Sequence, residues 1–187
     1  NIILFGPPGA GKGTQSKYLV NKLNAFQIST GDLLREEINK NSDIGKEITN
    51  DMNNGKFVSD EIVNKLIKDI IFDSQKKNRL IFDGYPRNLS QAKTLKELLD
   101  KYRQKIDLVL KLEVSLETIK KRILERQNLE NRPDDIESVA IKRYKKYEES
   151  TEPLIEYYKK LDLLKVIDGE RSVEQINKEI SDIIALI

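Results

Sequence analysis

Five short strand-length runs punctuate the chain: Ile2–Phe5, apolar throughout as in a buried parallel strand, Ala25–Ser29, which alternates, and Arg79–Asp83, Leu108–Leu112 and Leu163–Ile167. Between them the apolar positions recur at helical spacing. Tyr18, Leu19, Val20 and Leu23 follow the first run in a helix read from Gln15. Leu33, Leu34 and Ile38 follow the second, with Asp32 as the expected cap. Ile44, Ile48 and Met52 mark a helix from about Asp43 to Asn54. This pair of short helices has few large apolar residues and reads as a small mobile module rather than as core. Ser59 opens a helix to about Asp73 carrying Ile62, Val63, Leu66, Ile67, Ile70 and Ile71. Asn88 opens another, through about Lys101, with Ala92, Leu95, Leu98 and Leu99. Ser115 caps one with Leu116, Ile119, Ile123 and Leu124, followed by a polar break at Gln127–Asn131 and a long helix to about Lys160. Ser172 and Gln175 form a capping box before Ile176, Ile180 and Ile184. Strands alternating with helices predict an α/β fold, a doubly wound five-stranded parallel sheet flanked by helices, with ligands at the carboxyl ends of the strands.

The first strand runs into Gly6-Pro-Pro-Gly-Ala-Gly-Lys12-Gly13-Thr14 and then into a helix. Glycines let the backbone turn tightly and aim its N–H groups at an anion; the helix N-terminus and Lys12 add positive charge. This is a phosphate loop of the P-loop NTPase type, although Gly13 stands where the pattern has Ser or Thr, and the hydroxyl comes one position later, on Thr14. Asp83 ends a buried strand, where an aspartate that organises magnesium belongs.

Composition narrows the chemistry. The 187 residues suit one domain. A net charge of +2 offers no broad basic field for nucleic acid. With no cysteine and no histidine there is no thiolate, no imidazole base and no cysteine–histidine zinc site. No run approaches the roughly 20 apolar residues of a membrane span and none reads as a signal peptide. The expectation is a cytoplasmic protein with neither nucleic-acid nor membrane partners. Arg35, Arg87, Arg122, Arg126, Arg132 and Arg143 come from separate elements, and arginine's planar fork suits phosphate oxygens. Taken singly each is more often a solvated surface charge, and Asp134 and Asp135 are available to pair with some of them.

GPPGAGKGTQ, TGDLLR, DGYPR with Gln91 after it, Arg122-x-x-x-Arg126, RPDD at 132–135 and Arg143 ahead of TEPLIEYY together resemble the adenylate kinase family, in order and over essentially the whole chain. The chain is similar to the short-lid form: few residues separate Arg126 from Arg132, and the zinc-bearing insert of many long-lid members is missing. The resemblance implies a core of 1–29, 59–124 and 133–187, a module at 30–58 that binds the nucleoside monophosphate, and a lid at 125–132. It implies that Gly9, Ala10, Gly11, Lys12, Gly13, Thr14, Arg122, Arg126 and, through its backbone, Arg171 bind ATP. Thr30, Arg35, Lys56, Phe57, Val58, Gly84, Arg87 and Gln91 match the AMP site, with Gln91 at the adenine edge. Arg132 and Arg143 match arginines that bind AMP and stabilise the transferring group. Asp83, with Asp134 or Asp135, would organise magnesium-bound water and lid closure. Pro133 departs from the family pattern at the lid boundary, where it would stiffen the hinge.

The implied catalytic set is Lys12, Arg87, Arg122, Arg126, Arg132, Arg143 and Asp83, acting with Mg2+ on ATP, AMP and ADP in a monomer that maintains the adenine nucleotide balance. A phosphate acceptor is already largely ionised near neutral pH, so the missing base is no obstacle. The alternatives are a UMP/CMP kinase, against which Thr30 and the Gln91 spacing speak, and an ATP-binding switch without turnover, against which the arginine set speaks. A purely structural domain with a vestigial loop is the remaining alternative.

Overall fold

A computed structural model describes residues 1–72, 78–130 and 135–186. Strands β1 (Ile2–Phe5), β2 (Phe26–Ser29), β3 (Leu80–Asp83), β4 (Leu108–Glu113) and β5 (Leu164–Asp168) form one parallel sheet in the order β2-β3-β1-β4-β5. Ile2 lies opposite Ile81 on one side and Leu108 on the other, so β1 is the central strand. Alternate residues of the strands enter different cores. Ile3, Phe5, Ile28, Phe82 and Val109 face one buried cluster, while Ile2, Leu4, Ile81, Leu108 and Leu110 face a second. A strand with a core on each side has no polar face, which is why central β1 is apolar throughout, while the edge strands β2 and β5 carry polar residues such as Gln27 and Lys165.

Helices α1 (Lys12–Leu23) and α8 (Val173–Ile184) cover the second face, through Leu19, Ile176 and Ile180. The first face is covered by α4 (Asp60–Ile71), α5 (Leu89–Lys101) and α7 (Glu137–Lys160), through residues such as Ile67, Leu95 and Tyr158. The ring of Tyr158 lies 5.7 Å from that of Phe5. Helices α2 (Thr30–Asn39) and α3 (Asp43–Asn53) follow β2, and α6 (Leu116–Glu130) follows β4.

Several local expectations change, beginning with α1, which starts at Lys12 rather than Gln15. Asp32 does not cap α2: β2 runs straight into the helix, Ser29 is the cap, and its side chain accepts from the Asp32 N–H at 3.3 Å. The polar break at 127–131 is helix as far as Glu130, because glutamine, leucine and glutamate are good helix formers on a solvated surface. Residues 125–130 of the expected lid are therefore the last turns of α6. Finally, the small helical pair does contribute to the core. Leu34 of α2 and Ile48 and Met52 of α3 are buried in one cluster with Val63, Ile67 and Ile71 of α4. Asn88 and Ser172 cap as expected, Ser172 in a complete capping box with Gln175. Among the described residues no helix is long and apolar enough to cross a membrane.

Candidate active site

The carboxyl ends of the strands open into a cleft of about 760 Å3. The loop after β1 forms its floor. Gly9 and Gly11 sit at φ +84° and +95°, left-handed values that a side chain resists, and Gly11 is the N-cap of α1. Lys12 is the first helical residue. Its Nζ folds back to donate to the Gly6 carbonyl at 2.7 Å and the Pro7 carbonyl at 3.0 Å.

Asp83 ends the adjacent strand β3, opposite Leu4 of β1, and its Oδ2 accepts from Gln27 Nε2 of β2 at 3.1 Å. Gly84 follows at φ +78°. The Arg87 guanidinium turns back so that Nε donates to the Gly84 carbonyl at 2.8 Å, and it stands 4.8 Å above the Phe57 ring. Thr30 Oγ1 donates to the same carbonyl at 3.0 Å. Arg35 reaches Asp32 at 2.5 Å.

From α6, Arg122 donates to the Gly169 carbonyl at 2.9 Å and approaches the Ala10 carbonyl at 3.5 Å, linking the turn after β5 to the phosphate loop. Arg126, one turn on, grips Asp135 with two bonds of 2.5 Å. That carboxylate is fully buried. Of the two expected readings of Asp135, ion pairing with an arginine is the arrangement seen. Arg171 pairs with Glu179 and lies 3.6 Å from Asp168.

The electrostatics tie these cations into one site. Burial brings the Lys12 ammonium from 10.5 down to about 8; the Asp83 carboxylate opposes the fall, and Arg87, Arg143 and Arg126 add to it. Burial likewise lowers Arg87 from its ordinary value to about 10, aided by Arg143 and Arg35 and opposed by Asp83. Lys12, Lys17, Arg35, Arg87, Arg122, Arg126, Arg143 and Arg171 line the cleft against the carboxylates Asp32, Asp83 and Glu125. So lopsided a charge set, in a partly desolvated cleft, suits a polyanion.

Most residues singled out in the sequence meet here: Gly9, Ala10, Gly11, Lys12, Gly13, Thr14, Thr30, Arg35, Phe57, Asp83, Gly84, Arg87, Arg122, Arg126, Arg143 and Arg171. Three stand apart from the cleft wall. Lys56 is exposed and 3.7 Å from Asp51, Val58 is buried in the core, and Gln91 is buried behind Arg87. Arg132, Pro133 and Asp134 lie outside the described residues.

The cleft also gathers groups that sequence reading passed over. Gln27 braces Asp83. Tyr147 and Thr151 line the cleft one and two turns beyond Arg143 on α7, a spacing of four that the sequence did display. Burial raises the Tyr147 hydroxyl well above its ordinary value, so it remains a donor. That hydroxyl and Gln15 Oε1 are buried without a hydrogen-bond partner among the described residues.

Among the described residues no three carboxylates or other ligands gather into a self-sufficient metal centre. One carboxylate, Asp83, and one hydroxyl, Thr14, beside a phosphate loop fit a hard cation that arrives on a nucleotide's phosphates and keeps most of its water.

Comparison with known proteins agrees with this geometry. The adenylate kinase family model matches residues 4–163. The adenylate kinase of Pelagibacter ubique is 41% identical over 210 aligned positions, covering 98% of this chain and 99% of its own. That of Caulobacter sp. is 40% identical over 187, covering 100% and 99%. That of Archaeoglobus fulgidus is 37% identical over 214, covering 100% and 99%. The first and third alignments are longer than this chain, so those two relatives carry internal segments that it lacks. A family model that spans most of the chain, with relatives at about 40% identity over nearly its whole length, means that the chain belongs to the adenylate kinase family of phosphotransferases.

Proposed function

We propose that the chain transfers the terminal phosphoryl group of ATP to AMP, reversibly, giving two ADP. The observation that carries this reading is the convergence of Lys12, Arg87, Arg126 and Arg143 on a single cleft with Asp83 among them. Two phosphate chains meeting end to end need that much positive charge, and one nucleotide alone needs less.

The N–H groups of residues 9–14 and Lys12 hold the donor phosphates. Arg122 lies against the ATP base, and the Arg171 backbone meets its edge. Arg35 and Arg87 hold the AMP phosphate, with Thr30, Phe57 and Gly84 shaping its site and Lys56, Val58 and Gln91 completing it from behind. Arg126, Arg132 and Arg143 neutralise the charge that spreads over the transferring group. No general base takes part, because the acceptor oxygen is already ionised. Mg2+ borne by ATP would be held through water by Asp83, assisted by Thr14, and supplies charge neutralisation on the donor phosphates. Segment 30–58 closes over AMP and segment 125–132 over ATP, excluding water so that phosphate is transferred rather than hydrolysed. The reading is of a cytoplasmic monomer that serves the adenine nucleotide balance.

Phosphorus NMR of the purified protein with ATP, Mg2+ and one monophosphate at a time tests this. ADP formation with AMP, far faster than with UMP, CMP or GMP, is expected. Preference for UMP or CMP would overturn the reading of Thr30 and Gln91. Bound ATP without transfer to any of the four would overturn the enzyme.

A further inference from the structure

Asp60 is the first residue of α4, outside the loops that line the cleft. Its oxygens reach across to α5. Oδ1 accepts from Gln91 Nε2 at 2.7 Å and from Asn88 Nδ2 at 3.0 Å, and Oδ2 accepts from Asn88 at 3.1 Å. At the other end of each amide stands a backbone donor. Gln91 Oε1 accepts from the Arg87 N–H at 2.7 Å, and Asn88 Oδ1 accepts from the Gln91 N–H at 2.8 Å. A backbone N–H can only donate and a carboxylate can only accept, so neither amide can turn over without setting like against like. Gln91 is 2% exposed, and water does not relieve such a mismatch there.

We infer that Asp60 is a positioning residue of the AMP site: its carboxylate fixes the polarity of the Gln91 amide and, through Gln91, the turn that carries Arg87. This rests on the proposed reading of Gln91 at the base and of Arg87 at the phosphate. With Oε1 held by the Arg87 N–H and one hydrogen of Nε2 held by Asp60, only the second Nε2 hydrogen of this buried amide is unassigned, and the proposed AMP site gives it to the base. That hydrogen suits a ring nitrogen that accepts, as in adenine, and opposes one that carries a proton, as in guanine or uracil. Asp60 thereby sets a base preference without touching the base.

The test is steady-state kinetics of Asp60→Leu, Gln91→Ala and the double variant, with ATP and each monophosphate varied in turn. Leu is close to Asp60 in size but has no acceptor, whereas Asn could keep its oxygen where Oδ1 holds Gln91. The expected result is a rise of about tenfold in KM for AMP and a fall of about tenfold in the preference for AMP over GMP and UMP. KM for ATP stays within about twofold, and Asp60→Leu adds nothing in the Gln91→Ala background. Equal changes for both nucleotides, or an effect that survives in the Gln91→Ala background, would overturn the inference and leave Asp60 a fold-stabilising residue. Should Asp60→Leu fail to fold, hydrogen exchange of the Gln91 side-chain amide in the unaltered protein decides. One slowly exchanging proton supports the lock, and two fast ones overturn it. Absence of AMP turnover by the unaltered protein, seen before any variant is made, marks failure of the reaction assignment instead.

Discussion

Gly45→Ala sets two well-understood effects against each other. Gly45 is the third residue of α3, and its N–H donates to Ser42 Oγ at 2.9 Å. A Cβ built there would lie 2.1 Å from the Glu37 carbonyl oxygen, 2.6 Å from its carbon and 2.9 Å from Ile38 Cα. All three are backbone atoms of α2, so no rotamer change relieves the contact. A carbon needs about 3.3 Å from a carbonyl oxygen, so α3 must retreat by roughly 1 Å. The retreat pulls on the bonds from Ser42 N and Ser42 Oγ to the Glu37 carbonyl, both 3.2 Å, and on the burial of Ile48 and Met52. Alanine gains about 1 kcal/mol in helix propensity over glycine. Overpacking against backbone costs about 3 kcal/mol, and the two weakened bonds add on the order of 1 kcal/mol. The net expectation is a loss of about 3 kcal/mol in urea unfolding. KM for AMP should rise as well, since Thr30 and Arg35 ride on α2. A variant as stable as the parent, or stabler, would refute the reasoning: propensity would have won, and the two helices would not be in this contact.

Three further outcomes are expected. The folded value of Lys12 lies below its ordinary one, so between about pH 8 and pH 10.5 the unfolded chain holds more protons and the Lys12 contribution to stability rises with pH. ATP affinity, measured by calorimetry, should fall over the same window as the ammonium loses its proton. Lys12→Met should abolish transfer yet stabilise the nucleotide-free protein at pH 7 by on the order of 2 kcal/mol, a figure kept below the full shift because the side chain is partly exposed. Asp135→Ala removes the two-pronged partner of Arg126, whose side chain is 27% exposed and so recovers some hydration; a loss of about 2 kcal/mol in urea unfolding is expected. Tyr147→Phe removes a buried hydroxyl without a partner among the described residues, and should raise the melting point of the nucleotide-free protein by a few degrees.

The sheet and the phosphate loop were legible in the sequence for a physical reason. A strand buried on both faces must be apolar throughout, and a backbone that wraps an anion needs glycine where Gly9 and Gly11 stand. What escaped reading depends on register between strands or on the far side of a contact. Gln27 braces Asp83 only because β2 pairs with β3 so that Ser29 lies opposite Asp83, and nothing within either strand states that pairing. The burial of Gln91 needs Asp60, 31 residues away. The end of α6 is not legible in composition, because a polar stretch can mark either a break or a helical face turned to solvent, and here it is helix to Glu130.

The central place of β1 bears on how the protein is made. The strand that leads into the phosphate loop precedes both of its partners, Ile81 and its neighbours on one side and Leu108 and its neighbours on the other. A ribosome adding roughly 5–20 residues per second takes several seconds to supply the second partner. During that interval Ile2–Phe5 is an unpaired apolar edge with nothing beside it. The nascent chain therefore passes through a stage in which the strand leading into the phosphate loop lacks both partners, and a chain cut short before Leu108 is expected to aggregate more readily than the full sequence.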